Sequence, residues 1–273
     1  MKKILLAFDG SHFSEGAFEF ARSLNEMQPI LLLGVFIPQV NYANLWSYAG
    51  AASGPLFIPL VEEEESEIVH SNIARFERLC QKNNIDYRVH KDFFDFALPE
   101  LKKETRFADL AILSSQSFYK NLGTGMPNDY LKETLHAAEC PVLVVPEVFS
   151  FPESNILAFD GSESSVYAIK QFAYLFPELS NNKTLLVYAD EEERAFPQKV
   201  YIEELVARHF PDLTLFKLDI DPKRYFASWI REKKSAILVS GAYGRSSLSQ
   251  LFKRSFVSDV ISDHQLPVFI THR

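Results

Sequence analysis

Eight residues near the start of the chain, Ile4 to Ser11 (ILLAFDGS), return almost unchanged as Asn155 to Ser162 (NILAFDGS), an offset of 151. Self-similarity at that distance constrains the fold more than any property of composition, because it requires two copies of one folding unit. Later segments repeat too. Ala111-Ile112-Leu113 recurs as Ala236-Ile237-Leu238, and Cys140-Pro141-Val142-Leu143 is echoed by Leu266-Pro267-Val268-Phe269 at an offset of 126. The offset falls by 25 along the way, so the first copy carries about that many extra residues. They fall at Pro38 to Val61, a stretch rich in Tyr, Trp, Ala and Phe that suits a packed loop, a lid or an association surface.

Each copy reads in the same order. An apolar strand (Ile4 to Phe8, or Ile156 to Phe159) precedes a helix. In the first copy Ser14 is placed to cap that helix, with Ala17, Phe20, Ala21 and Leu24 at i, i+3, i+4 and i+7. The second has Ile169, Phe172, Ala173 and Phe176 at the same spacing. Further strands are expected at 30–36 and 184–189, 87–90 and 213–218, 110–113 and 236–239, and 142–145 and 268–271, with helices between them. Continuous apolar strands alternating with helices predict parallel sheets covered on both faces. The expected fold class is therefore α/β: two tandem Rossmann-like domains, 1–149 and 150–273, each an open, mainly parallel sheet of five strands. Two similar domains in one chain suit a pseudo-symmetric pair, with the apolar final strands as the contact.

Composition narrows the function. The chain has 273 residues, 47% of them hydrophobic, and a net charge of -8 with no basic stripe, which argues against nucleic-acid binding. The charge is uneven: residues 1–150 hold 13 Lys and Arg against 20 Asp and Glu, the rest 15 against 16. The second copy is the less hostile to an anion. Cys80 and Cys140 are far apart and form no CxxC, so a reducing, cytoplasmic setting is expected, with no membrane role. The first apolar run stops at Asp9, too early for a signal peptide. The seven histidines form no HxxxH or HExxH, so no metal site is expected.

The stretch with the clearest chemistry is Ala236 to Val257. An apolar run ends in Ser240, Gly241 and Gly244, and Arg254-Ser255 opens a helical pattern. A strand end at which glycines let the backbone approach a ligand, followed by a helix start with unpaired N–H donors, reads as a phosphate cradle. Ser246, Ser247 and Ser249 inside it read as solvated loop serines, with phosphate contacts or modification as the alternatives.

These features resemble the universal stress protein family in its tandem two-domain form. The strand-D-G-S openings at Asp9 and Asp160, the strand endings after Pro141 and Pro267, and the glycine motif carry the likeness over nearly the whole chain. Nucleotide-binding members of that family show G-x2-G-x9-G-[ST] after the fourth strand. This chain has Gly241-x2-Gly244-x9-Arg254-Ser255, with Arg254 in place of the third glycine. The resemblance implies ATP or AMP, with or without Mg, in the second domain. Asp160 would meet the adenosine and Tyr188 would line the adenine pocket. Gly241, Gly244 and Ser255 would hold the phosphates, flanked by Ser240, Tyr243, Phe256 and Val257 with Arg254 alongside. In the first copy the counterparts at the 126 offset are Ser115, Phe118, Asn128 and Asp129, so that half is expected not to bind nucleotide in the family manner. Gly123 and Gly125 nearby read as an ordinary loop.

The resulting expectation is an adenine-nucleotide-binding stress-response or sensing protein with one site per chain. The rival is a nucleotide-free module of the same fold whose partner is another protein, as an intramolecular pseudo-dimer or a homodimer. With no GxxxxGK[ST] and no acidic pair at metal spacing, catalysis beyond slow ATP hydrolysis is not expected, and no catalytic residue is assigned.

Overall fold

The computed structural model describes residues 1–38, 63–91, 97–119, 129–190, 195–241 and 256–271. Apart from Pro38, the first copy's extra segment lies outside them. Ten strands form one sheet: β1 (Lys2–Phe8), β2 (Ile30–Phe36), β3 (Asp86–Lys91), β4 (Leu110–Ser114), β5 (Val142–Val145), β6 (Ser154–Ala158), β7 (Lys183–Ala189), β8 (Leu213–Leu218), β9 (Ala236–Gly241) and β10 (Val268–Thr271). Eight α-helices accompany them among the described residues: α1 (Glu15–Met27), α2 (Glu63–Lys82), α3 (Ala97–Arg106), α4 (Asp129–Ala137), α5 (Glu163–Leu175), α6 (Lys199–Ala207), α7 (Pro222–Arg231) and α8 (Phe256–Ser262).

The strand order is β3-β2-β1-β4-β5-β10-β9-β6-β7-β8, so the second half repeats the first in mirror order. Every pairing inside a half is parallel. Between the halves, β5 pairs antiparallel with β10, placing Leu143 opposite Phe269 and Val144 opposite Val268. The final strands do make the contact, and they join the halves into one sheet.

Alternation along the strands divides the core between the two faces. Ile4, Leu6 and Phe8 of β1 point to one side, where α1 and α2 supply Phe18, Phe20 and Phe76; Leu5 and Ala7 point to the other, against Leu101, Leu131 and Leu135 of α3 and α4. The many phenylalanines stack on the first of these faces. Phe8 lies 4.6 Å from Phe36, and Phe172 of α5 reaches Phe269 on the junction strand at 5.5 Å. Ser14 and Ser162 cap α1 and α5, accepting from the amides of Ala17 (3.1 Å) and Ser165 (3.2 Å). The caps differ in position. Ser162 is the serine of the repeated D-G-S, whereas in the first half the cap moves three residues on, past His12 and Phe13.

The close fit of α1 to the strand ends depends on Gly16. A Cβ there would press on the carbonyl oxygen of Pro146 and the Cα of Glu147, well under 3.0 Å. Both obstacles are backbone and cannot swing away. Gly16→Ala is expected to destabilise the protein by about 1–3 kcal/mol through overpacking, despite alanine's better helix propensity. Urea denaturation checks this.

Candidate functional site

In each half the strand order reverses direction around the first strand, so the crevice beyond the carboxyl ends of β1 and β4, and of β6 and β9, is the natural ligand position. The two crevices are built differently.

In the second half Asp160 follows β6 and is exposed; its Oδ1 accepts a hydrogen bond from the Ser162 amide at 2.9 Å. Ser240 and Gly241 end β9, where Gly241 is opposite Thr271. Gly241 lies against the first turn of α5, where a Cβ would collide with the carbonyl of Ser164 and the amide of Ser165. Asp160 and Gly241 thus converge on the start of one helix, while Ser240 is buried on the opposite face of β9. Tyr188, near the end of β7, is buried; its hydroxyl donates to Asp190 Oδ2 at 2.6 Å and its ring lies 5.4 Å from Phe196. Val257 is buried in α8. Tyr243, Gly244, Ser246, Ser247, Ser249, Lys253, Arg254, Ser255 and the Phe256 side chain lie outside the described residues, so the structure brings together only the strand-end part of the predicted site.

In the first half the same crevice is filled by the chain itself. Asp9, 5% exposed, accepts from the amides of Ser11 (2.9 Å) and His12 (2.8 Å) on Oδ1; on Oδ2 it meets His12 Nδ1 (2.9 Å) and the Tyr119 amide (3.1 Å). The Tyr119 contact ties the end of β1 to the loop after β4. Tyr119 is itself buried, and its hydroxyl donates to the Ile37 carbonyl at 2.6 Å, so its ring spans from β1 to the end of β2. Burial pushes its phenol well above the ordinary tyrosine range, so it stays neutral. Asp9 is a structural bridge here.

The pairing also corrects the residue-to-residue match between the halves. Ala111 donates to the Pro141 carbonyl as Leu238 does to that of Pro267 (2.9 and 3.0 Å). Ala111 is opposite Leu5 and Val142, and Leu238 is opposite Ile156 and Val268. Along β4 and β9 the offset is therefore 127. The counterpart of Gly241 is Ser114 rather than Ser115. Phe118 is buried beside Tyr119; its match to Gly244 falls outside the described residues.

Sequence reasoning missed the residue that fills the space next to Ser114 and Ser117. Glu147 Oε1 accepts from both hydroxyls, at 2.7 and 2.5 Å, and Oε2 accepts from the Gly16 amide at the start of α1 at 3.1 Å. Burial raises the Glu147 carboxyl, but hydrogen bonds from Ser117, Ser114, Gly16 and Ser14 outweigh it and hold the group below the usual glutamate range. Its own amide donates to Gln116 Oε1 at 2.7 Å. From the other half, His264 Nδ1 meets Ser115 Oγ at 2.8 Å, and burial lowers the His264 pKa. Cys80 and Cys140 are buried, with thiols pushed up to about 12 by desolvation, so both are inert. Among the described residues no group of three or more His, Cys, Asp or Glu could hold a metal, and no helix is long and apolar enough to cross a membrane.

The architecture matches that of known proteins. The chain resembles a universal stress protein from Archaeoglobus fulgidus DSM 4304, with a TM-score of 0.69 and 15% identity, covering 100% of this chain and 96% of that one. A candidate universal stress protein from Pseudomonas aeruginosa UCBPP-PA14 matches at 0.54 and 11%, over 100% and 93%. A functionally unknown protein from Pseudomonas aeruginosa PAO1 matches at 0.55 and 11%, over 100% and 92%. No protein-family model matches the sequence, and no curated protein matches it. The fold is thus the Rossmann-like universal stress protein fold in tandem, as the sequence features implied.

The two aspartates give a direct comparison. Asp9→Ala strands buried donors and is expected to cost about 2–4 kcal/mol, whereas Asp160→Ala removes one exposed turn contact and is expected to cost under about 1 kcal/mol. Chemical denaturation of both variants measures the difference. For Glu147 the sign follows from its lowered pKa. Its stabilising contribution is full above the ordinary glutamate range and is lost as pH falls through the depressed value. The stability advantage of wild type over Glu147→Gln should therefore shrink progressively in acid.

Proposed function

We propose that the protein binds one adenine nucleotide, ATP or AMP, in the second half and acts as a stress-response sensor rather than as a dedicated enzyme. The observation that carries this reading is the contrast between the repeated aspartates. Asp9 is buried and closed over by Tyr119, while Asp160 stands exposed at the mouth of its crevice. Gly241 also lies against the start of α5, and the glycine motif Gly241-x2-Gly244 continues from there, which supports a phosphate cradle at this strand end. In this reading Asp160 holds the ribose and Tyr188 borders the base. Ser240, Gly241, Tyr243, Gly244, Ser255, Phe256 and Val257 surround the phosphates, and Arg254 adds a cation where the motif has glycine. Any Mg would arrive with the phosphates.

Arg254 favours a second reading, in which the crevice holds no nucleotide and the protein serves as an interaction module. Native mass spectrometry of the purified chain, followed by calorimetry with ATP and AMP, separates the two. The expected result is one nucleotide per chain, with binding abolished in Gly244→Phe. No binding, or affinity unchanged in Gly244→Phe, favours the interaction module. Two equivalent sites per chain would overturn the closed first half.

A further inference from the structure

We propose that Glu147 is a ligand built into the chain: its carboxylate takes the place of an external anion in the first half and keeps the loop after β4 closed over Asp9. The geometry gives the carboxylate donors from two separate parts of the fold. At the start of α1 these are the Gly16 amide and the Ser14 hydroxyl; the others are the hydroxyls of Ser114, at the end of β4, and of Ser117, in the loop after it. Ser114 is 2% exposed and depends on this partner, since its hydroxyl hydrogen goes to Glu147 while its oxygen accepts from the Gln116 and Ser117 amides at 3.2 and 2.9 Å. The loop that Glu147 holds in this way is the one whose Tyr119 amide reaches Asp9. The carboxylate and the closure of the crevice are therefore two ends of one short, hydrogen-bonded segment.

The second half has the helix start but lacks the hydroxyl and the carboxylate of this device. Ser114 is matched by Gly241, which offers no hydroxyl, and at the 126 offset of β5 and β10 Glu147 is matched in sequence by Arg273, with the opposite charge. A carboxylate in one copy and a guanidinium in the other is a difference expected where one copy supplies its own anion and the other does not. Among the described residues no charged group contributes to the Glu147 shift. Its neighbours there are Ser14 and Gly16 at the start of α1, Ser114 at the end of β4, and Gln116 and Ser117 in the loop after it, with His264 on Ser115 beyond them. Among these the carboxylate is held by dipoles, as an external oxyanion would be. This inference concerns the first half and stands independently of nucleotide binding in the second.

The test is amide hydrogen exchange in the full chain, read at Gly16, Ser117 and Tyr119, for wild type, Glu147→Ala and Glu147→Gln, with and without inorganic phosphate. Removing these hydrogen bonds to a charged group should speed exchange at these amides roughly ten- to hundredfold in Glu147→Ala, with Glu147→Gln between. Phosphate should restore protection to Glu147→Ala beyond sodium chloride of equal ionic strength, and should leave wild type unchanged. Unchanged protection in Glu147→Ala, or a phosphate response no greater than that to chloride, overturns the proposal. If Glu147→Ala fails to fold, Glu147→Gln decides: wild-type protection at Tyr119 in that variant would likewise overturn it.

Discussion

The pairing of β5 with β10 is the contact on which the architecture depends. A parallel five-stranded sheet has two open edges, and each exposes unpaired backbone groups. Joining the two halves along their final strands removes one edge from each and leaves β3 and β8 as the outer strands of a ten-stranded sheet. Leu143, Val144, Val268 and Phe269 are buried on either side of that seam. Because the pairing is antiparallel while every other ladder is parallel, the strands of the two halves run in opposite directions. The first half's crevice therefore opens at one end of the strands and the second half's at the opposite end.

Within that frame the two copies solve one local problem in opposite ways. Strand ends, a helix start and a D-G-S turn converge in each half, and convergent amides attract negative charge. The first half meets the demand internally with Asp9 and Glu147, and packs Tyr119 across the strand ends. The second half keeps its aspartate exposed and ends β9 in glycine. The glycines are complementary as well. The first half needs Gly16 on the helix because Pro146 and Glu147 cross it; the second needs Gly241 on the strand because the helix backbone of Ser164 and Ser165 crosses there.

Much of this fold is written locally. The apolar runs of β1, β4 and β5, the Ser14 cap and the heptad-like spacing of Ala17, Phe20, Ala21 and Leu24 are all short-range signals, and the elements form where those signals place them. The filled crevice is a long-range fact. Tyr119 meets Asp9 across 110 residues and Glu147 meets Gly16 across 131, and no periodicity encodes such pairings. The one-residue error in matching Ser115 with Gly241 arises from carrying the 126 offset of the Pro141 and Pro267 segments back to β4 and β9, where the true match, 127, is fixed by which carbonyl Ala111 and Leu238 bond. A local clue to the first half's difference was available: its helix cap lies three residues beyond the D-G-S serine, and the added segment holds His12.

The bond between His264 and Ser115 shows what the opposed strand directions make possible. It places the turn that enters β10 beside the loop that leaves β4, so the floor of one half's crevice touches the approach to the other half's last strand. By the approximate two-fold relation, the turn leading into β5 faces the neighbourhood where β9 ends. A duplicated sheet joined this way is reciprocal at its rims: each unit's last strand is entered beside the crevice of its twin.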